Sequence, residues 1–133
     1  MRILIADDEL ANRLFMTKFL SKYGECDVVV DGMEAIDAYL NSINAGYVYD
    51  LICLDIMMPR LHGDKALKTI RDIEKQHNIE GDQRVKIIMT TALNDAPTVI
   101  NAYDSGCEAY AVKPIDMSKF ILVMEKLGLI KTS

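Results

Sequence analysis

A short apolar run followed by a segment with helical spacing recurs five times along this chain, and few layered architectures accommodate that alternation. Ile3 to Ala6 ends in acids, and Ala11, Leu14, Phe15 and Phe19 then repeat as the inward face of a helix that Gly24 stops. Val28 to Val30 is followed by Asp31 and Glu34 at capping-box spacing, ahead of a helix whose apolar face includes Met33, Ile36 and Leu40. Leu51 to Leu54 closes on Asp55 and a loop with Pro59 and Gly63, before a helix using Ala66, Leu67, Ile70 and Ile73. The polar stretch from Glu74 to Arg84 reads as a connector to a fourth strand, Val85 to Met89, which ends in Thr90 and Thr91. Asn94 or Asp95 can cap a fourth helix with Pro97 in its first turn and Gly106 at its end. A fifth strand, Glu108 to Val112, leads to a last helix from about Asp116 to Leu127, with Met117, Phe120, Ile121 and Met124 on one face.

Near-continuously apolar strands separated by helices predict a doubly wound α/β fold, with a five-stranded parallel sheet covered on both faces by five helices. The expected organisation is one domain over residues 1–133, with a core of about 1–128. Right-handed crossovers place every strand-to-helix loop at one edge of such a sheet, where open α/β folds bind their ligands. The net charge of −5 and pI near 4.9 lack the basic footprint that nucleic acid or an anionic membrane requires. Cys26, Cys53 and Cys107 lie in or beside apolar runs, as reduced core thiols do. With no signal-peptide core and no apolar run near the ~18 residues of a membrane span, the expected compartment is the cytoplasm.

The strand ends bring Asp7, Asp8, Asp55, Thr91 and Lys113 to one edge. Three carboxylates there repel one another, and a hard divalent cation with oxygen ligands relieves the repulsion. Without thiol or imidazole in the set, Mg²⁺ suits it better than zinc. Beside a cation and a lysine, Asp55 is expected to stay ionised with a lowered pKa, which suits a nucleophile better than a general acid. Attack on phosphorus would give an acyl phosphate, with Lys113 and Thr91 as donors to the phosphoryl oxygens. As plain structure, Asp55 could cap a helix, Asp7 and Asp8 could favour a helix N-terminus, and Tyr110 could be a sheet aromatic.

Four segments together, Ala6-Asp7-Asp8-Glu9, Asp55-Ile56-Met57-Met58-Pro59 continuing to Gly63, Thr91-Ala92, and Tyr110-Ala111-Val112-Lys113-Pro114, resemble the receiver domains of two-component response regulators. The resemblance spans essentially the whole chain and implies a flavodoxin-like fold with strand order 2-1-3-4-5. It implies that Asp55 is the phosphoacceptor and Asp8 a direct Mg²⁺ ligand. Asp7 would act on the metal or its waters, and the Met57 backbone carbonyl would complete the site. It further implies that Lys113 pairs with the phosphoryl group, that Thr91 swings to bond it and draws Tyr110 inward, and that Lys113–Pro114 is cis. His62 departs from the small polar or acidic residue usual before the glycine. The implied partners are a histidine kinase or histidine phosphotransfer protein as donor and a downstream effector protein. A homodimer through the fourth helix, fifth strand and fifth helix is implied by resemblance alone.

Met57 and Leu93 occupy the two positions that flank the phosphoryl group in this family, and both are apolar. Neither can orient an attacking water, so slow self-dephosphorylation is expected. The chain ends soon after the last helix without an output signature, so the expectation is either a single-domain regulator or a fragment of a longer one. A flavin or nucleotide module would carry a glycine- or hydroxyl-rich cradle after the first strand, and an aspartate-based phosphohydrolase an Asp-x-Asp pattern there. Neither fits. The remaining alternative is a phosphorylation-independent interaction module of the same fold.

Overall fold

A computed structural model describes residues 1–92 and 106–131. Its strands are β1 (Arg2–Ala6), β2 (Glu25–Val29), β3 (Leu51–Asp55), β4 (Lys86–Thr91) and β5 (Ala109–Val112). Among the described residues the helices are α1 (Leu10–Leu20), α2 (Gly32–Ala45), α3 (Gly63–Gln76) and α4 (Met117–Lys126), with a 3₁₀ turn at Gly81–Gln83. The helix expected between Asn94 and Gly106, and Leu93 before it, lie outside the described residues. The strands form one parallel sheet in the order β2-β1-β3-β4-β5, as expected.

Strand alternation divides the core into two layers. Leu4, Ile52, Leu54, Ile87 and Met89 point to the side covered by α2 and α3. Ile3, Ile5, Leu51, Cys53 and Ile88 point to the side covered by α1 and α4. Phe19 of α1 meets Phe120 of α4 edge-on, with ring centroids 5.7 Å apart. Because both faces are covered, β1, β3 and β4 are buried at almost every position, whereas edge strand β2 leaves Val28 exposed.

Local signals start the helices as expected. Asp31 Oδ1 accepts from Glu34 N at 2.9 Å, and Glu34 Oε1 accepts at 3.0 Å from the N–H of Val30, one residue before the cap, a variant of the capping box on α2. Asp116 caps α4 through Lys119 N. The expected apolar face of α3 is wholly buried.

The inward face of α1 differs from the expected one. Leu14 is 62% exposed and Phe15 39%, while Met16, Phe19 and Leu20 enter the core. The helix is rotated so that Asn12 and Arg13 reach back to Asp7. In α2 the buried residues are Gly32, Ala35, Tyr39 and Ser42, and Met33 is exposed. The expected connector from Glu74 is also corrected: Glu74 belongs to α3 and is fully buried.

Its partners explain the burial. Glu74 accepts from Arg71 at 2.7 Å, from the Tyr39 hydroxyl at 2.8 Å and from Val85 N at 2.8 Å. Arg71 also donates to the carbonyls of Val85 and Gly106 and to both oxygens of Glu108. This network joins α3 to the N-terminal ends of β4 and β5, the opposite end of the sheet from the acidic edge.

Candidate functional site

Parallel strands deliver their C-termini to a single edge, and order 2-1-3 puts the topological switch between β1 and β3. Asp7 follows β1 with its N–H on the Val29 carbonyl at 3.1 Å, and Asp55 is the last residue of β3. Both side chains are buried, and Asp8 is exposed. Ligand oxygens of Asp7, Asp8 and Asp55 all lie within 4.8 Å of one another.

Lys113 enters from the end of β5. Its Nζ is 3.0 Å from Asp55 Oδ2, 3.0 Å from Asp7 Oδ2 and 3.4 Å from Glu9 Oε1. The Lys113–Pro114 peptide is cis, as expected. Lys113 N–H donates to the Thr91 carbonyl at 2.7 Å, which ties the strand end that carries the lysine to the one that carries the threonine.

Thr90 and Thr91 are both buried. A sheet covered on both faces buries both. Register separates them: Thr90 pairs with Asp55 and Ala111, while Thr91 falls on the face of Met89, which pairs with Tyr110. Thr91 and Tyr110 thus share one side of the sheet, and Tyr110 is 38% exposed.

The loop after β3 is held close to Asp55. Ile56 N–H donates to the Thr90 carbonyl, Gly63 N–H to the Ile56 carbonyl, and Met57 N–H to Asp55 Oδ1 at 3.3 Å. A Cβ on Gly63 would lie 2.1 Å from the Asp55 carbonyl oxygen, so glycine is required by close approach. His62 precedes α3 without capping it through its side chain.

The expected lowering of the Asp55 pKa supposes a bound cation, and the fold without one is balanced differently. Burial pushes the Asp55 carboxyl above its usual range; the Lys113 hydrogen bond and charge pull it down, and the neighbouring Asp7 charge pushes it up again. Lys113 is raised: burial works to lower it, but its bonds to Asp7 and Asp55 outweigh that. One ammonium among three carboxylates leaves an excess of negative charge. An all-oxygen donor set with that excess fits a hard divalent cation such as Mg²⁺, held by Asp8, Asp55 and Asp7. Sequence reasoning missed the supports of Asp7, namely Asn12 Nδ2 on Oδ2 and Arg13 on its carbonyl, because no pattern marks them.

The family model for the response regulator receiver domain matches residues 3–125. The chain is 31% identical over 128 residues to the chemotaxis protein CheY of Bacillus subtilis, covering 94% of this chain and 95% of that one. It is 33% identical over 128 residues to hybrid signal transduction histidine kinase L of Dictyostelium discoideum, covering 96% of this chain but 7% of that protein's length. Among solved structures it is similar to the receiver domain of Saccharomyces cerevisiae Ssk1 in complex with the histidine phosphotransfer protein Ypd1, with TM-score 0.81, 31% identity, and 96% and 88% of the two chains covered. It is also similar to the CheX-CheY-BeF3-Mg²⁺ complex of Borrelia burgdorferi, with TM-score 0.81, 26% identity, and 96% and 89% covered. The chain belongs to the response regulator receiver domain family of two-component signalling.

Proposed function

We propose that this chain is a phosphoacceptor switch that takes a phosphoryl group from a histidine onto Asp55. The observation that carries this reading is the placement of Asp55 Oδ2 3.0 Å from Lys113 Nζ, within an acid cluster whose oxygens lie inside 4.8 Å. An Asp55 oxygen attacks phosphorus, the P–N bond to the donor imidazole breaks, and its electron pair returns to the imidazole nitrogen. Lys113 neutralises a phosphoryl oxygen, and Thr91 supplies a hydroxyl donor. Mg²⁺, when bound by Asp8, Asp55 and the Met57 carbonyl, supplies charge neutralisation for that transfer. Asp7 stands beside those ligands to hold the metal or its waters.

The donor is a histidine kinase or a histidine phosphotransfer protein, supported by the Ssk1–Ypd1 likeness. Output goes through a partner-binding surface on the side of Thr91 and Tyr110, biased only by the difference in contacts between the two states. Intact mass after incubation with acetyl phosphate tests the reading. A gain of one phosphoryl group that requires Mg²⁺ and vanishes in Asp55→Asn is expected, and no gain in either condition would favour the phosphorylation-independent module. Met57 is 62% exposed next to the acceptor and cannot orient water, so the phosphoprotein should outlast a time course of minutes. Loss of the added mass within seconds would refute that slow turnover.

A further inference from the structure

The loop between β3 and α3 carries Met57 two residues beyond Asp55, and its far side is fastened to α2. Arg60 Nε donates to Asp31 Oδ2 at 2.8 Å and its NH2 to Asp31 Oδ1 at 3.1 Å, a two-point bond onto a carboxylate whose side chain is 7% exposed. Asp31 is the residue that caps α2, yet capping uses one oxygen and would be served as well by asparagine. A buried carboxylate carries a desolvation cost that asparagine avoids, so the charge has a use beyond the cap.

The backbone at Arg60 is equally pointed. Its φ is +63°, and Leu61 N–H donates to the Pro59 carbonyl at 2.7 Å across it, giving the rarer hand of three-residue turn. A non-glycine residue persists there only when its surroundings hold it. The surroundings are α2: besides the Arg60–Asp31 bond, the Leu61 carbonyl sits so close to Gly32 that an added Cβ would be 2.3 Å from its oxygen.

We propose that Asp31 and Arg60 are positioning residues that clamp the loop after β3 onto the N-terminus of α2 and thereby set the divalent-cation affinity of the Asp55 and Met57 side of the pocket. The proposal rests on the metal reading given above. Mg²⁺ demands near-ideal octahedral geometry, so a backbone carbonyl ligand is useful only if its loop cannot drift. Arg60 is three residues from Met57, and the loop is pinned at its other end by Gly63 against the Asp55 carbonyl. Releasing the middle leaves the carbonyl free to move.

Mg²⁺ titration calorimetry on the wild type, Asp31→Asn, Arg60→Asn and the double variant tests this. Asparagine at 31 keeps the cap, and asparagine at 60 tolerates the left-handed backbone. Each single variant should bind Mg²⁺ about 10-fold more weakly, as loss of a group supporting metal ligands does. The double should be no weaker than the weaker single, and Arg60→Lys should be intermediate. Melting curves in EDTA report folding separately, and Arg60→Lys retains the pair if the asparagine variants melt too low to titrate. Wild-type binding with unchanged affinity in the folded variants overturns the clamp alone. Absence of Mg²⁺ binding in the wild type overturns the metal reading and the clamp with it.

Discussion

Lys113 pairs with the carboxylates of both Asp55 and Asp7, and each of those contacts is 3.0 Å. Removing it leaves two buried carboxylates facing each other. Lys113→Ala should lower metal-free stability by about 3 kcal/mol, the usual cost of stranding a buried charge, and slow acetyl-phosphate labelling by about 100-fold. Thermal melts in EDTA and mass-spectrometric time courses check the two effects. Asp55→Asn should act the other way in EDTA. Burial raises the Asp55 pKa above its unfolded value of ~3.9, so its linked stability is full below that value and lost as pH rises through the folded pKa. The variant should therefore melt higher than wild type at pH 7, with the difference shrinking on acidification through that window. A wild type that melts as high as Asp55→Asn at pH 7 in EDTA would contradict this sign. Asp31 has the opposite sign: the Arg60 hydrogen bond lowers its pKa, so that contribution is present above ~3.9 and disappears as pH falls. The Asp55 direction was not legible in the sequence, because burial and the Asp7 charge depend on where three strands end.

Among the elements, α3 does two tasks at its two ends. Its first residue lies against the Asp55 carbonyl, while Arg71 and Glu74 near its last turn hold the starts of β4 and β5. Glu74→Gln removes the charge facing buried Arg71 and weakens its bonds to Tyr39 and Val85. It should cost about 3 kcal/mol in denaturant unfolding, and Mg²⁺ affinity should stay within twofold because the network is at the far end of the sheet. The apolar spacing of α3 announced its face, since Ala66, Leu67, Ile70 and Ile73 are all buried. The spacing of α1 misled, because Ala11, Leu14 and Phe15 are exposed and the polar Asn12 and Arg13 turn toward Asp7. Periodicity identifies a helix and the width of its stripe, but a hydrogen bond to another element can rotate the stripe.

For the molecule as a whole, excess negative charge at the acidic edge means that the metal-free fold carries repulsion which a cation relieves. Mg²⁺ at 100 times its Kd should stabilise the wild type by about 2.7 kcal/mol, and by less in Asp55→Asn, which has lost both a ligand and part of the repulsion. Melting temperature against Mg²⁺ concentration measures this, and equal increments in both proteins would place the ion elsewhere. Among the described residues no helix is long and apolar enough to cross a membrane, as the absence of a long apolar run suggested. The order of apolar runs and helical segments by itself determined the α/β class and, through the rule that parallel strands end at one edge, the meeting of Asp7, Asp8, Asp55, Thr91 and Lys113. Those are consequences of chain direction and local period, which are written residue by residue. Only the tertiary structure decided that burial raises the Asp55 pKa in the metal-free fold, that Asn12 and Arg13 support Asp7, that Glu74 is buried, and that Arg60 fastens to Asp31. Each depends on two or more segments distant in sequence, and burial or pairing across such distances has no local signature.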